Sequence, residues 1–583
     1  MKDFTRLFDI LKYQLQKFPT DKAINYKYDG KWRAFSSQEV NDTVDRASRA
    51  FLKFGLQRED KVAIISSNRP EWNLVDNGMM QAGIINVPIY PTISKAEYEY
   101  IFNDSEIKIA FVENKELADK IFAIKDDVPS LQAVYSFDTI NECEHWEKFL
   151  ELGDNDTQDK VDEIAAGINP TDLATIIYTS GTTGKPKGVM LSHDNIISNI
   201  KSVVSLLPVT HEHKALSFLP LCHIFERTVT YTYFSTGTEL YYAESLDKLS
   251  DNLKELQPHF FSTVPRLLEK VYDKIVSKGM ELSGLKKKLF FWALGLAQEY
   301  TEDYVPGWKF KIADKLIFSK WREALGGNVI GIVTGAAALQ ERLGRVFSAA
   351  GIAIREGYGQ TESSPVITVN RFEPGGFKFG TVGLPIPGVE VKLADNGEIL
   401  AKGPNIMLGY YNKPEITAET IKDGWLHTGD VGTWVDGKYL KITDRVKSLF
   451  KTSGGKYVAP QVVEEKIKES RFVEQIMVIG ENRKFVSALI VPSYLNLTAW
   501  CEEKGIATDS NQAMISAPEV LAIFKEEIDG LNVNFGKVEQ VKKFKLFADE
   551  WSVETGELTP TMKVKRKFIK DKYADIIEDI YNV

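Results

Sequence analysis

The sequence predicts an α/β protein, with a large N-terminal domain of mostly parallel, helix-flanked sheets and a small, mobile α+β C-terminal domain. Short β-branched segments bounded by turn residues, at 62–66, 84–90 and 174–179, are typical of buried parallel strands. Helical patterns such as 37–56 lie between these strands and place their apolar residues on one face. From about residue 380, closely spaced glycines and prolines separate short segments, which indicates a β-rich region.

The length predicts several folding units. A chain of 583 residues exceeds what one ordinary core needs, because single domains hold roughly 150 residues. We place the boundary near Asp444, so that residues 1–443 form the N-terminal domain and residues 444–583 the C-terminal domain. The β-rich subdomain lies within the first of these, over about 375–443.

Composition narrows the class of protein. Hydrophobic residues make up 43% and charged residues 26%, which is typical of a globular chain. The net charge of −9 argues against a nucleic-acid partner, whose phosphates require a basic face. Cys143, Cys222 and Cys501 are too far apart in sequence for a disulfide framework, and the N-terminus lacks an apolar signal core. We therefore predict a cytoplasmic protein.

The strongest single motif is YTSGTTGKPKGVMLSH at residues 178–193, directly after a predicted strand. Glycines allow backbone N–H groups to surround an anion, while hydroxyl and lysine side chains add further donors. It is not a Walker A loop, because Thr179 stands where that pattern needs glycine and Pro186 follows Lys185. A glycine-rich turn without a ligand is the alternative. The residues that form the predicted phosphate loop are Thr179, Ser180, Gly181, Thr182, Thr183, Gly184 and Lys185.

Further motifs follow in order along the chain, and each alone has an ordinary structural interpretation. His223 would be a structural histidine, Cys222 a packing residue, Glu362 a surface acid, and Asp430 with Arg445 a surface ion pair. The motifs are SFLPLCHIFERT (217–228), TGAAAL (334–339), REGYGQTESSP (355–365), WLHTGDVG (425–432) with ITDRVKSLFKTSGGKYVAPQVVE (442–464), and LTPTMKVKRKFI (558–569).

Taken together, these motifs resemble those of the adenylate-forming superfamily, which includes acyl- and aryl-CoA ligases, luciferases and the adenylation domains of peptide synthetases. The resemblance covers nearly the whole chain. It implies that ATP activates a carboxylic acid as an acyl-adenylate, with Mg²⁺ as the metal. A carboxylate is a poor acyl donor, and its anhydride with AMP has a good leaving group, so charge neutralisation is the main catalytic task.

The resemblance also implies roles for individual residues. Tyr358 would stack on adenine, Thr361 would lie near the α-phosphate, and Glu362 would bind Mg²⁺. Lys563, three residues before Arg566, would be the catalytic lysine, assisted by Thr179 and Glu362. Met562 precedes this lysine where the family more often has glycine. The remaining predicted ATP/AMP-binding residues are Gly335, Ala336, Ala337, Glu356, Gly357, Gly359 and Gln360, with Asp430 and Arg445 at the ribose.

Three further assignments concern the acyl pocket, the hinge between the domains and the coenzyme A channel. By the same resemblance, His223 lies at the acyl-pocket end of the site. Lys447 is the hinge about which the C-terminal domain rotates, and Gly454 and Gly455 line the coenzyme A channel. Rotation would withdraw Lys563 after adenylation and let the thiol of coenzyme A reach the acyl group.

Segments outside the catalytic motifs suggest the acid. VPRLLEKVYDKI (264–275), KIADKLIFSKWREALGG (311–327) and LCHIFER (221–227) resemble the long-chain branch of the superfamily. The predicted activity is therefore long-chain fatty acid–CoA ligation with fatty acid, ATP and coenzyme A as substrates. A fatty-acyl-AMP ligase that loads a carrier protein is one alternative. A non-catalytic nucleotide-binding protein is another, although the presence of both Lys563 and Glu362 argues against it.

One segment raises the question of a membrane. Residues 282–300 place three lysines before an apolar, aromatic run, and the purely apolar part, 289–297, is too short to span a bilayer. The segment fits either peripheral contact with the inner membrane surface or a helix buried in its own domain. A homodimer is also left open.

Overall fold

The computed structural model describes residues 4–154, 158–179, 185–445, 449–454, 456–559 and 563–582. The chain forms two compact units. The larger unit comprises Met1–Lys392, Leu400–Thr428 and Asp436–Leu440, and the smaller unit comprises Leu393–Ile399, Gly429–Val435 and Lys441–Val583. Because this division crosses the chain at several points, the single boundary between residues 443 and 444 stays a prediction.

The strands follow one another in short segments, most of them in the first 445 residues. In chain order they are β1 (Ile24–Tyr28), β2 (Lys31–Phe35), β3 (Lys61–Ile65), β4 (Ile85–Pro88), β5 (Ile107–Val112), β6 (Ala133–Ser136), β7 (Glu144–His145), β8 (Leu173–Thr179), β9 (Lys187–Ser192), β10 (Lys214–Ser217), β11 (Glu239–Tyr242), β12 (Phe260–Thr263), β13 (Gly331–Thr334), β14 (Ile354–Gly359), β15 (Val366–Val369), β16 (Leu384–Pro385), β17 (Glu390–Leu393), β18 (Glu398–Lys402), β19 (Gly409–Tyr410), β20 (Ile421–Lys422), β21 (Trp425–Val435), β22 (Tyr439–Arg445), β23 (Phe450–Lys451), β24 (Tyr457–Val458), β25 (Val473–Ile479), β26 (Val486–Pro492) and β27 (Val541–Leu546).

Helices separate most of these strands. They are α1 (Asp9–Lys17), α2 (Ser37–Phe54), α3 (Pro70–Gln81), α4 (Lys95–Ser105), α5 (Lys115–Phe122), α6 (Trp146–Glu151), α7 (Asp159–Ala166), α8 (His193–Val204), α9 (Ile224–Thr236), α10 (Leu249–Leu256), α11 (Pro265–Glu281), α12 (Gly284–Gln298), α13 (Trp308–Ala313), α14 (Ser319–Ala324), α15 (Glu341–Ala349), α16 (Pro414–Thr420), α17 (Pro460–Ile467), α18 (Tyr494–Lys504), α19 (Asn511–Ser516), α20 (Pro518–Asn532), α21 (Arg566–Lys572) and α22 (Ala574–Tyr581). Two 3₁₀ turns, Lys125–Asp127 and Thr361–Ser363, and a π-helical turn, Asp314–Phe318, complete the helical elements of the described residues.

Two large sheets form the framework of the larger unit. Among the described residues, one has the strand order β19-β9-β8-β4-β3-β5-β6-β7 and the other the order β16-β15-β14-β13-β12-β10-β11-β1-β2. The central strands of both are parallel, as in the pairs β3–β4, β3–β5, β12–β13 and β13–β14. The predicted α/β class is confirmed, and the strands predicted at 62–66, 84–90 and 174–179 correspond to β3, β4 and β8.

Local signals explain why the helices begin and end where they do. The Ser36 side chain accepts a hydrogen bond from the Glu39 backbone N–H, and the Glu39 carboxylate accepts one from the Ser36 N–H, a capping box that starts α2. Gly55 ends the helix with a φ of 103°, a left-handed conformation that glycine adopts without steric cost. The side chains of Val40, Val44 and Phe51 on one face are buried.

The smaller unit has its own core. β25, β26 and β27 form a three-stranded sheet in which β25–β26 is antiparallel and β26–β27 is parallel. Every residue of β26 is buried, which fits its position between the other two strands. Helices α17 and α20 bury Val463, Ile467 and Phe524 in the same core.

The apolar run at 289–297 lies in α12, whose inner face packs within the larger unit. Phe290, Ala293, Leu294 and Ala297 are buried, and the ring of Phe290 lies 6.0 Å from that of Trp321. This run therefore forms part of a helix that packs on its own domain, one of the two predicted alternatives, and contact of this segment with a membrane stays a prediction. No helix among the described residues is long and apolar enough to span a membrane.

Candidate active site

The predicted phosphate loop connects the two strands of a hairpin. β8 and β9 pair antiparallel, and Thr179 lies opposite Lys187 as the last pair before the loop. Ser180, Gly181, Thr182, Thr183 and Gly184 lie outside the described residues. Lys185 is exposed, with its Nζ 5.3 Å from the centroid of the Tyr100 ring. The hairpin thus places Thr179 and Lys185 on either side of the loop.

Helix α8, which follows the hairpin, begins with a cap that also binds the chain segment before β19. The Ser192 side chain accepts a hydrogen bond from the Asn195 N–H at 3.1 Å, and the Asn195 side chain accepts one from the Ser192 N–H at 2.9 Å. This reciprocal cap begins α8 directly after β9. The Asn195 amide also donates to the carbonyls of Pro404 and Ile406, at 2.7 and 2.9 Å. The chain segment before β19 is thereby held against α8.

The two segments predicted to border adenine lie side by side. β13 and β14 are parallel, and Thr334 lies opposite Glu356. A Cβ atom added to Gly335 would lie 3.3 Å from the carbonyl oxygen of Gly357, tighter than most such contacts, so little room remains for a side chain there. Ala336 has a φ of +67°, a conformation uncommon for a residue with a side chain. The carboxyl ends of these strands are where parallel sheets bind ligands.

Polar contacts hold the chain around these strand ends. The Glu356 carboxylate accepts a hydrogen bond from the Leu339 N–H at 3.0 Å, which ties the TGAAAL segment to β14. The Gln360 amide donates to the Thr428 carbonyl at 2.9 Å. Tyr358, the predicted adenine-stacking residue, and Thr361 are both buried.

Glu362, the predicted magnesium ligand, makes a contact that no motif indicates. The Tyr410 hydroxyl donates a hydrogen bond of 2.7 Å to its Oε1, and the Met407 N–H donates to its backbone carbonyl at 2.9 Å. Tyr410 lies on β19, which pairs with β9 of the loop hairpin, and the Lys187 Nζ lies 4.2 Å from its ring centroid. Burial, and then the Glu362 carboxylate, raise the pKa of Tyr410, so its hydroxyl remains a donor. Tyr410 stands 48 residues beyond Glu362 in sequence, so sequence spacing gives no signal for this contact.

His223 lies at the beginning of α9. Its Nδ1 accepts a hydrogen bond from the Phe225 N–H at 3.2 Å, which caps the helix. The ring of Phe225 is 3.9 Å from the position of an added Cβ on Gly335, so the start of α9 adjoins the predicted adenine segment. Cys222 lies in a turn before α9, where burial raises the pKa of its thiol. Cys222 is a buried packing residue, as expected.

Three site residues from separate motifs come together within the smaller unit. The Nε of Arg445, at the end of β22, lies 3.1 Å from Oδ1 of Asp430 on β21. The pKa of Lys563 is lowered to about 8, first by desolvation and next by the Arg445 guanidinium, whereas the Asp430 carboxylate opposes the shift. Lys563 nevertheless keeps an exposed surface. The lowered pKa therefore reflects desolvation by neighbouring groups and not complete burial of the side chain.

The chain around Lys563 is anchored in the smaller unit. The Lys563 N–H donates to the Thr559 hydroxyl at 3.0 Å, and the Thr559 N–H donates to the Lys563 carbonyl at 2.8 Å. Arg566 pairs with Glu464 and donates from Nη1 to the Val478 carbonyl at 3.2 Å. Met562 lies outside the described residues.

The predicted hinge and one channel glycine are also outside the described part of the chain, namely Lys447 and Gly455. Gly454 is described, and an added Cβ there would meet only the Thr452 Oγ1, at 3.9 Å. Packing within the described residues therefore does not account for a glycine at this position. The described residues also contain no group of three or more His, Cys, Asp or Glu side chains arranged to hold a metal ion.

Comparison with known proteins identifies relatives over the whole chain. The AMP-binding enzyme family model matches residues 11–411, and the AMP-binding enzyme C-terminal domain model matches residues 448–583. The long-chain-fatty-acid–CoA ligase FadD15 of Mycobacterium bovis is 32% identical over 564 residues, covering 95% of this chain and 93% of that protein. Long-chain-fatty-acid–CoA ligase 1 of Homo sapiens is 32% identical, covering 95% of this chain and 83% of that protein.

A solved structure supports the same fold. The anthranilate CoA ligase AuaEII, determined in complex with anthranoyl-AMP, superposes with a TM-score of 0.74 at 18% identity, covering 98% of each chain. At this identity the likeness concerns the fold alone.

Proposed function

Because this chain belongs to the AMP-binding enzyme family, we propose that it is a long-chain fatty acid–CoA ligase of the AMP-forming, acid–thiol type. It converts a fatty acid and ATP to acyl-AMP and pyrophosphate, and then transfers the acyl group to coenzyme A with release of AMP. The observation that carries this proposal is the similarity to long-chain ligases over 95% of the chain, which includes both family regions.

In the first half-reaction, a carboxylate oxygen of the fatty acid attacks the α-phosphorus of ATP. The bond from that phosphorus to the bridging oxygen breaks, and pyrophosphate leaves with the bonding electrons. Both reactants are anionic, so positive charge and hydrogen-bond donors must stabilise the transition state. We assign this role to Lys563 and to the loop 179–185, with Thr179 and Lys185 at its two ends.

The nucleotide positions follow from the pairing of β13 with β14. Gly335, Ala336 and Ala337 supply a flat border for adenine, and Tyr358 offers an aromatic ring on the adjacent strand. Asp430 accepts hydrogen bonds from the ribose hydroxyls, and Arg445 holds the Asp430 carboxylate at 3.1 Å. These assignments explain why small residues follow β13 and why the buried Asp430 carboxylate is paired with Arg445.

Glu362 suits a magnesium ion bound to the phosphates. The Tyr410 hydroxyl donates a hydrogen bond to Oε1 of Glu362, whereas Oε2 of Glu362 accepts none from a residue in the described part of the chain. A half-buried carboxylate oxygen of this kind is a ligand that Mg²⁺ prefers. When bound, the ion supplies positive charge that neutralises phosphate oxygens. Glu362 holds that charge in place, and Tyr410 orients the Glu362 carboxylate.

In the second half-reaction, the thiolate of coenzyme A attacks the acyl carbonyl carbon of acyl-AMP. The bond from that carbon to the AMP oxygen breaks, giving the thioester and AMP. We assign the hinge to Lys447 and the pantetheine channel to Gly454 and Gly455, so that rotation of the C-terminal domain exchanges Lys563 for this channel. His223, beside the start of α9, borders the acyl group.

The testing experiment measures each half-reaction with acids of increasing chain length. ATP–pyrophosphate exchange should require added fatty acid and should rise toward long chains. Coenzyme A should then be consumed in equal amount to the acyl-CoA formed. Exchange without coenzyme A consumption would instead identify a ligase that loads a carrier protein, and nucleotide binding without exchange would identify a non-catalytic protein.

We also propose a cytoplasmic location with peripheral contact at the inner membrane surface. Cys143, Cys222 and Cys501 are all buried and unpaired, as expected in a reducing compartment. A lipid surface would supply the substrate, because long-chain fatty acids partition into bilayers. The homodimer stays a prediction, which light scattering of the purified chain would test.

A further inference from the structure

An unusual apolar face lies on the helical region that follows α12. α13, the π-helical turn Asp314–Phe318 and α14 follow one another without a break from Trp308 to Ala324. The inner side of this helix packs in the core of the larger unit through Phe310, Phe318 and Trp321. This packing anchors the helix in the larger unit, and the outer side of the helix is part of the surface of that unit.

The outer side carries large apolar residues at helical spacing. Trp308 is 69% exposed, Ile312 is 41% exposed and Leu316 is 42% exposed. These residues stand at i, i+4 and i+8, so they lie along one side of the helix. Val305, which is 85% exposed, directly precedes them. We call these four residues, Val305, Trp308, Ile312 and Leu316, the outer stripe.

Exposed cations are interspersed with the outer stripe. Lys309, Lys311, Lys315 and Lys320 are exposed, and none of them forms a salt bridge with a described residue. The Lys309 Nζ lies 5.8 Å from the centroid of the Trp308 ring. The acid within the segment, Asp314, is already paired with Arg322 at 2.6 Å. Residues 305–320 contain four lysines and one aspartate, a net charge of 4 − 1 = +3, in a chain of net charge −9.

We propose that the outer stripe docks on a bilayer that contains anionic lipids. Indole and aliphatic side chains enter the boundary between headgroups and acyl chains, while the long lysine side chains reach the anionic headgroups. The cores of protein–protein interfaces are depleted of lysine, whereas lysines surround the outer stripe, which favours a lipid surface over a protein partner. The inference rests on the proposed function, because a ligase for long-chain acids gains access to substrate that resides in the bilayer.

The experiment uses the full-length chain and flotation with vesicles of phosphatidylcholine, alone or with phosphatidylglycerol. The wild type should float with the phosphatidylglycerol vesicles and much less with phosphatidylcholine alone. The variant Trp308→Ser/Ile312→Ser/Leu316→Ser and the variant Lys309→Glu/Lys311→Glu/Lys315→Glu should each bind at least about tenfold more weakly. Quenching of tryptophan fluorescence by brominated lipid should fall in Trp308→Phe.

The matched control changes exposed apolar residues elsewhere. Leu495 and Val533, on the smaller unit, are 74% and 79% exposed, more than any of the three substituted stripe residues, and Leu495→Ser/Val533→Ser should bind vesicles like the wild type. Equal vesicle binding by all variants would overturn the proposal. So would a wild-type dimer that the apolar variant converts to a monomer without any vesicle binding, since the stripe would then contact a second copy. Ligation of a long-chain fatty acid supplied on cyclodextrin, without vesicles, should be unchanged in every variant, and its absence from the wild type would refute the proposed function instead.

Discussion

Lys563 lies where two neighbours act in opposite directions on its ammonium group. The Arg445 guanidinium disfavours the charged form and the Asp430 carboxylate favours it, while desolvation is the largest influence and lowers the pKa to about 8. A lysine with this pKa is still mostly protonated at neutral pH, yet its ammonium group is less fully hydrated than that of an ordinary surface lysine. These properties suit a cation that must act on a phosphate and then leave it.

Replacing this lysine should separate the two half-reactions. In Lys563→Ala we expect ATP–pyrophosphate exchange to fall by roughly 10²-fold or more, because one major transition-state donor is lost. Formation of thioester from preformed acyl-adenylate should largely survive. An equal loss in both half-reactions, with the thermal unfolding curve unchanged, would show that Lys563 is not the adenylation lysine. Lys565→Ala, two residues away in the same segment, is the control.

The pH profile of adenylation should reveal the same group. Because the pKa of Lys563 is lowered to about 8, the charged form is present below that pH and is lost as pH rises through it. The kcat/KM for pyrophosphate exchange, which reports the free enzyme, should therefore fall above about pH 8. In Lys563→Arg this decline should disappear, since arginine stays protonated. A wild-type profile that stays flat to about pH 10, where an ordinary lysine titrates, would contradict the assignment.

The contact between Tyr410 and Glu362 makes a prediction about metal binding. Removing the hydroxyl in Tyr410→Phe should free the Glu362 carboxylate to rotate and weaken Mn²⁺ binding in the presence of ATP by about tenfold, as loss of a ligand's hydrogen-bond partner often does. Electron paramagnetic resonance of Mn²⁺ measures this directly, apart from activity. Tyr411→Phe, at the neighbouring position, should bind Mn²⁺ like the wild type. Unchanged binding in Tyr410→Phe would mean that Tyr410 does not orient Glu362.

At the scale of elements, α9 links helix α3 to the strand that leads into the loop. Arg227, on α9, is fully buried and pairs with Asp76 of α3 at 2.5 Å. The same guanidinium donates from Nη1 to the Thr175 hydroxyl of β8 at 2.8 Å, and Tyr231 donates to Asp76 at 2.6 Å. A buried ion pair with this many partners holds its elements in one arrangement, because any slip leaves a charge without a partner.

Breaking this pair should destabilise the larger unit. Arg227→Met leaves the Asp76 carboxylate buried without its cation, which should cost about 3–5 kcal/mol. The denaturant midpoint followed by tryptophan fluorescence should fall clearly. The control is Arg345→Met, which removes the partly exposed partner of Glu341 and should cost less than about 1 kcal/mol. Equal midpoints for the two variants would show that the buried pair contributes little.

The predicted elements agree with the structure where a local sequence pattern is enough to determine the type of secondary structure. The strands at 62–66 and 174–179 appear as β3 and β8 within a residue or two, because continuous β-branched runs favour buried parallel strands. The run 289–297 left two interpretations open for a related reason. An apolar face does not indicate whether protein or lipid covers it, and here Phe290 is covered by the larger unit.

At the scale of the whole molecule, two reactions must use one site in turn. The proposed hinge, Lys447, makes a backbone prediction that does not depend on its side chain. Lys447→Pro fixes φ and removes an N–H, so rotation should be impeded. We expect thioester formation to fall by more than about tenfold while adenylation changes much less. Lys447→Ala, which keeps the backbone free, should retain both rates, and a similar loss in both half-reactions of Lys447→Pro would argue against a hinge here.

The sequence by itself determined the α/β class, the family and the order of the motifs, because glycine-rich loops, β-branched runs and charged residues at fixed spacing are local patterns. Only the tertiary structure decided which distant residues meet. The pairing of β19 with β9 brings Tyr410 to Glu362, and β21 with β22 brings Asp430 to Arg445. Packing likewise decided that Phe290 is buried and Trp308 exposed, since burial depends on which elements lie against each other and not on the hydropathy of a segment.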